Sequence, residues 1–467
     1  MTDPDGATAD GALPGGALPD GMLPDGSPVD GSPVDGSTVD DATRAHGFSR
    51  RAMLGAAAAG AAAAGAAGAG GFKVGRATAP ILGDMAFGFH GDHQSGIVTE
   101  QQDRLHFATF DLTTDSRDRV IALLRRWTQA AATLMTGSEI GAGAVGGSPL
   151  LPPDDTGEAL GLPAAGLTIT FGFGRGMFTK DGKDRFGLAG LMPEQIQDLP
   201  HFSGDAIDPA FEGGDLCIQA CSHDPLVAIH AIRNLARLAA GDASVRWAQL
   251  GFGRTSSTTR AQSTSRNLMG FKDGTRNLRA EDTTLVTKWL WAGPTDGQEW
   301  MTGGTYMVVR KIRIHAEVWD RTSLGEQEAA VGRSKGSGAP LSGGNETTQP
   351  NFQARGASGS LMIPTDAHVT IAHPNRWDGA MMLRRGYNYT DGADTLGKLD
   401  AGLFFIAFVR DPRAQYVPIQ EEMSRSDRMT TEYLKTVGSA LFAVPPGIPH
   451  GATLGDGGAF VGQSLFA

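Results

Sequence analysis

Beyond residue 80 the apolar positions switch between two periods. Leu105 to Leu112 alternates and predicts a strand, while Ser116 to Met135 repeats every three to four residues and predicts an amphipathic helix. Residues 137–165 are rich in Gly, Pro and Ala and predict a loop insertion. Leu167 to Phe173 and Asp215 to Cys221 predict strands. Asp224-Pro225 pairs an N-cap with proline at the first helical position, opening a helix through Leu238, and Val245 to Phe252 predicts a further strand. The second half continues with a strand over Thr305 to Ile314 and a short helix over Ser323 to Val331. Strands are predicted over Ser360 to Met362, His368 to Ala372 and Gly402 to Val409, and a terminal helix over Pro418 to Phe442 with Glu early in it. Short strands and long helices without a regular βαβ rhythm indicate an α+β fold with antiparallel sheets. Gly172-Phe173-Gly174 is an isolated G-x-G, and no dinucleotide-type loop follows a strand.

Composition changes this picture mainly at the N-terminus. Of the chain's net charge of −11, a net −8 lies in residues 1–48, where Asp20, Asp25, Asp30, Asp35 and Asp40 recur every five residues. This leader has too few apolar residues for a core and is expected to be disordered. The remainder is nearly neutral, which argues against a nucleic-acid partner. Ser49-Arg50-Arg51 precedes an Ala/Gly run to Gly71 and then Lys73, the pattern of a twin-arginine export signal over 49–79. The run is long enough to cross a membrane, but its glycines and alanines make it a poor span. Cys217 and Cys221, four apart on a predicted strand, sit about 13 Å from each other and cannot form a mutual disulfide.

Three segments carry candidate chemistry. Gly270-Phe271-Lys272-Asp273-Gly274-Thr275-Arg276-Asn277 flanks an aspartate with glycines, so the backbone can approach a planar ligand; the plainer reading is a turn. In Asp366-Ala367-His368-Val369-Thr370-Ile371-Ala372-His373-Pro374-Asn375, a strand would point His368 and His373 to opposite faces, so one metal could not take both. In Leu383-Arg384-Arg385-Gly386-Tyr387-Asn388-Tyr389, a strand would face one arginine of the adjacent pair into a pocket and the other outward. Each of these residues also has a purely structural reading.

Taken together, these segments resemble the dye-decolorising (DyP-type) haem peroxidases, in particular the exported class that includes the deferrochelatase/peroxidase of bacterial iron-uptake systems. Gly270 to Gly274 is similar to that family's G-x-x-D-G signature, Ala367-His368-Val369 to its proximal-ligand stretch, and Leu383 to Tyr387 to its distal-arginine stretch. The resemblance covers about residues 85–445. It implies two ferredoxin-like domains, over 80–280 and 281–467, with one haem b in the C-terminal one. It makes His368 the axial iron ligand and places Asp273 and Arg384 as proton-transfer and peroxide-binding residues. Gly274, Thr275, Arg276, His373, Pro374 and Asn375, together with Arg384, fall where family members contact haem. The family's proximal histidine leans on a carboxylate, which the sequence does not single out. Hydrogen peroxide and a bulky reductant are the implied substrates. Among the aromatics near these segments, Tyr389 is the first candidate for a radical relay and Trp377 the second, with simple packing the plainer reading of either. A membrane iron-uptake partner and a homo-oligomer are further implications, and the location implied is periplasmic, cell-envelope or extracellular. The competing readings are a haem carrier or deferrochelatase that releases iron from haem, and a haem-free α+β binding module.

Overall fold

The computed structural model describes residues 85–467; the acidic leader and the Arg50-Arg51 signal expected before them lie outside the described residues. The first half runs β1 (Arg104–Leu112), α1 (Arg117–Leu134), β2 (Thr168–Phe173), β3 (Leu216–Ser222), α2 (Pro225–Leu238) and β4 (Ala243–Arg254). Its strands are antiparallel in the order β2-β3-β1-β4. Both helices start for local reasons. Ser116 caps α1, and the Asp224 carboxylate accepts from the Leu226 and Val227 amides at the start of α2, with Pro225 in its first turn. Trp127 on α1 donates its indole N–H to the Leu235 carbonyl at 2.7 Å, tying the two helices together.

After α3 (Thr283–Trp289) the second half repeats the plan with β5 (Thr305–Ile314), α4 (Ala316–Arg321), α5 (Leu324–Val331), α6 (His368–Ile371), β6 (Leu383–Arg384) and β7 (Tyr387–Ala393). It ends with β8 (Leu399–Val409), α7 (Pro412–Gln415), α8 (Val417–Ser426), α9 (Arg428–Tyr433) and β9 (Leu434–Val444). The strands are again antiparallel, in the order β7-β8-β5-β9, and β6 runs in line with β7 along β8. The two half-sheets join at short seams. β4 meets β7 through Phe252↔Asn388 and Arg254↔Tyr387, and β2 meets β9 through Phe173↔Ala443. The result is a closed ring of strands.

One apolar cluster collects Phe107 of β1, Trp247 of β4, Tyr387 and Tyr389 of β7, Phe404, Ile406 and Phe408 of β8, and Phe442 of β9. The Phe107 ring lies 5.3 Å from both Trp247 and Phe404. Burying each such side chain contributes about 1.5–3 kcal/mol. The alternate residues of the second half-sheet, Ile312, Ile314, Leu403 and Phe405, face a separate cavity. With both faces covered, β8 is a continuous apolar run instead of an alternating one. Cys217 and Cys221 belong to the first cluster as free, buried thiols.

Three expected elements differ. Ser360 to Met362 forms no strand, only a single bridge from Leu361 to Arg355. His368 to Ala372 is not a strand; His368–Ile371 is the one-turn helix α6, so the opposite-face argument for His368 and His373 does not hold. The β-branched run Val369-Thr370-Ile371 suggests a strand, but local and tertiary hydrogen bonds override it: Thr370 Oγ1 donates to the Pro364 carbonyl at 2.9 Å, and His368 is bonded to Asp427. The single helix expected over Pro418 to Phe442 is instead α8, α9 and the strand β9. Asp427 interrupts it by capping α9, accepting from the Met429 and Thr430 amides at 2.9 and 3.3 Å.

Candidate active site

A cavity of about 490 Å³ opens on the outer face of the second half-sheet, and Asp273, His368 and Arg384 all line it. That volume suits a sizeable organic ligand. Its apolar walls include Met269, Phe271, Val331, Val369, Leu403 and Phe405.

His368 opens α6. Its Nδ1 is bonded to Asp427 Oδ2 at 2.6 Å, and Asp427 is fully buried at the start of α9. The flanking residues repeat the tie: Arg428 Nη2 pairs with Asp366 Oδ2 at 2.7 Å, and the Arg428 amide donates to the Asp366 carbonyl at 3.0 Å. The two segments are therefore locked in register, with the imidazole fixed between them. Burial pulls the His368 pKa down, but the Asp427 charge and hydrogen bond, helped by the Asp273 charge, hold it above its ordinary value. Its Nε2 makes no hydrogen bond among the described residues, so it is open to a ligand that displaces its proton.

Asp273 sits in the turn that was one of its two readings. The Gly270 amide donates to the Asn267 carbonyl, and Gly270 and Gly274 take φ of +84° and +85°, where a side chain is strained. Arg384 Nη1 donates to Asp273 Oδ1 at 3.0 Å, and Asn267 Nδ2 donates to Asp273 Oδ2 at 3.3 Å. Lys272 pairs with Glu346, whose Oε1 also accepts from Thr275 Oγ1 at 3.2 Å, which fastens the loop on its other side. Arg384 and Arg385 point apart as expected, but Arg385 does not look outward into solvent. Arg385 is fully buried, with its guanidinium on the Thr99 carbonyl and on Gln102 Oε1.

The remaining candidates divide. Gly274, Thr275, Arg276, His373 and Pro374 line the cavity. Asn375 does not, but its amide donates to His373 Nδ1 at 3.2 Å and so orients that ring. His373 Nε2 is buried with no partner among the described residues. Burial, then the charges of Arg276 and Arg333, lower its pKa. A partnerless imidazole nitrogen beside two guanidinium groups suits a ligand carboxylate. Tyr389 lies in the ring interior, its hydroxyl without a partner among the described residues. Burial pushes its pKa well up, with Asp400 and Asp391 adding to the shift. Trp377 donates its indole N–H to the Ile371 carbonyl at 2.7 Å. Asp427, Asn267 and Arg333 were not anticipated; for Asp427, the Ser426-Asp427 break before Arg428 was the available N-cap signal.

No group of three or more His, Cys, Asp or Glu side chains able to hold a metal ion occurs among the described residues. A lone imidazole in an apolar, carboxylate-accepting cavity fits an iron whose other ligands come from a macrocycle, so the residues present fit haem.

Known proteins point the same way. Residues 94–253 match the family model described as Dyp-type peroxidase, N-terminal, and residues 264–449 match Dyp-type peroxidase, C-terminal. The chain is 34% identical over 383 residues to a Deferrochelatase of Yersinia pestis, covering 81% of this chain and 84% of that one. It is 36% identical over 366 residues to a Deferrochelatase of Escherichia coli, covering 77% and 84%. Among solved structures, ferric DtpA from Streptomyces lividans matches with a TM-score of 0.74 at 38% identity, over 83% of this chain and 100% of that one. A DyP-type peroxidase from Streptomyces coelicolor matches with a TM-score of 0.73 at 38% identity, over 83% and 99%. A DypB variant of Rhodococcus jostii in complex with heme, at 19% identity and a TM-score of 0.52, shares the fold alone. Two family models matched in order, and relatives this similar over most of the chain, lead to one conclusion: the protein belongs to the Dyp-type peroxidases, a family of haem-dependent oxidoreductases.

Proposed function

We propose that the protein binds one haem b in this cavity through His368 Nε2 and reduces hydrogen peroxide there at the expense of a bulky organic reductant. The observation that carries this reading is an imidazole braced by a buried carboxylate and opening on the same cavity as the paired Asp273 and Arg384. Bound there, haem would supply the redox centre that couples two-electron reduction of peroxide to one-electron donors. Asp427 keeps His368 in one orientation and raises the basicity of its free nitrogen. Asp273 accepts a proton from one peroxide oxygen and delivers it to the other, which leaves as water. Arg384, fixed against Asp273, donates hydrogen bonds to the peroxide as negative charge develops on it. His373, Arg276 and Arg333 hold the carboxylates of the macrocycle, and the cavity's apolar walls exclude water from its faces.

In this reading each half of the chain is a ferredoxin-like unit, divided near residue 280, with the haem against the second. The repeated order β2-β3-β1-β4 and β7-β8-β5-β9 supports it. Electrons from reductants too large for the cavity pass through an aromatic side chain. Tyr389, the first candidate from sequence, is the weaker relay, because its hydroxyl has no acceptor among the described residues for the proton that oxidation releases. Trp377, hydrogen-bonded to α6 itself, is the better one. Export by the twin-arginine route rests on Arg50-Arg51.

A second reading, iron release from haem as a deferrochelatase, is favoured by the names of the 34–36% identical relatives. The experiment that separates the two follows purified holoprotein with peroxide and a phenolic reductant. Turnover lost in Asp273→Asn with haem still bound supports the peroxidase. Parental turnover in that variant, with iron-free porphyrin accumulating, supports the chelatase.

A further inference from the structure

β4 pairs with β7 as far as Arg254↔Tyr387, and the Thr255 amide still reaches the Gly386 carbonyl at 3.0 Å. The chain then turns away through Ser256 and Ser257. Arg384 is thereby left with β8 on one side only. Arg385 donates its amide to the Ile406 carbonyl at 2.8 Å, so the Arg384 N–H and C=O, one residue earlier, face the vacated side. An unpaired edge at that point would let the arginine's backbone drift.

Asn277 occupies the vacated place. Its Oδ1 accepts from the Arg384 amide at 2.7 Å, and its Nδ2 donates to the Arg384 carbonyl at 2.9 Å and to the Ser257 carbonyl at 3.0 Å. A side-chain amide carries the same donor and acceptor as a peptide group, and both of its protons are used here. Asn277 thus replaces the strand residue that β4 no longer supplies. It is buried, and it does not line the cavity.

The same residue also reaches Asp273 through the main chain. The Asn277 amide donates to the Gly274 carbonyl at 2.9 Å, closing a turn directly after Asp273. Gly274 can make that turn because it takes φ +85°, and it packs so closely that a Cβ would stand 2.9 Å from Ser256 Cα. Asp273 and Arg384 are far apart in sequence, yet both hang from this one turn.

We infer that Asn277 is a positioning residue for the peroxide step: it sets the separation of Asp273 and Arg384 by pairing with the Arg384 backbone, and it touches no reactant. The inference rests on the roles proposed above for those two residues. Its effect must therefore pass through Arg384, and removing Asn277 must cost nothing further once the guanidinium is gone.

The test is a double-mutant cycle on haem-loaded, full-length protein: parent, Asn277→Ala, Arg384→Leu and the double variant. Two readouts are taken. One is the second-order rate at which peroxide changes the haem absorption. The other is the equilibrium affinity of the ferric protein for fluoride, a small anion that a guanidinium can hydrogen-bond. Asn277→Ala is expected to slow the peroxide reaction about 10- to 100-fold, as a displacement of about 1 Å would, and to weaken fluoride binding. On the Arg384→Leu background it is expected to change either quantity by less than about 3-fold. Asn277→Asp keeps the volume and the acceptor while losing both donors; it is used if the alanine variant does not fold, with the same expectation. Equal slowing on both backgrounds, or parental rate and fluoride affinity in both Asn277 variants, overturns the inference while leaving the Arg384 role intact. A parental peroxide rate in Arg384→Leu alone overturns the Arg384 role and this inference with it.

Discussion

Asp427 has two duties, and two substitutions separate them. Oδ2 holds His368 at 2.6 Å and accepts from Thr430 Oγ1 at 3.0 Å, while Oδ1 caps α9 through the Met429 and Thr430 amides. Asp427→Ala removes everything from a fully buried position. Losing the cap costs about 0.5–2 kcal/mol and losing a charge-assisted hydrogen bond about 1.5–3 kcal/mol, so about 2–5 kcal/mol of stability is expected to go. Asp427→Asn keeps an oxygen for the cap but removes the charge. It is expected to leave most of that stability while lowering haem affinity about 10- to 100-fold, the usual effect of weakening a ligand's outer partner. Urea unfolding of the haem-free protein reads the first quantity, and titration of haem into it, followed by Soret absorbance, reads the second. Parental haem affinity in Asp427→Asn would show that the carboxylate does not tune His368. An unchanged unfolding midpoint in Asp427→Ala would refute the stability argument.

Three further outcomes follow from other parts of the chain. Asp155 is buried; burial raises its pKa, but the His230 hydrogen bond at 2.7 Å and the Gly157 and Ile140 amides outweigh that and hold it below 3.8. A carboxyl depressed in the folded state adds stability that is fully present above the unfolded value and is lost as pH falls through the folded one. Urea midpoints should therefore fall more steeply below about pH 4 in the parent than in Asp155→Asn, and parallel curves would exclude this pair as a source of acid lability. Changing Arg50 and Arg51 to lysine should retain the protein in the cytoplasm of its host, as judged by fractionation; undiminished export would point to another route. Trp377→Phe should slow oxidation of bulky dyes severalfold while the peroxide reaction keeps its rate, and an unchanged dye rate would leave Trp377 a packing residue only.

Much of this was legible in the sequence where the cause is local. Asp224-Pro225 opens α2 because a cap and a proline act within one turn. The strand of Thr305 to Ile314 follows from its β-branched run, with the predicted bounds. Asp273, His368 and Arg384 stood out by motif, and the fold brings all three to one cavity. What sequence missed depends on distant partners. α6 looks like a strand until His368 is tied to Asp427, 59 residues away. The amide of Asn277 has no visible purpose until β4 turns aside from β6. Closure of the strand ring was also hidden, because its seams consist of one register pair at β2–β9 and two at β4–β7.

In the proposed function the His368 imidazole, and no other, is the protein's donor to haem iron. His368→Ala and His373→Ala, each loaded with haem, test it by electronic absorption and electron paramagnetic resonance of the ferric state. His368→Ala is expected to lose the histidine-ligated spectrum, and His373→Ala to keep it with weaker haem retention. A histidine-ligated spectrum surviving in His368→Ala and vanishing in His373→Ala would contradict it.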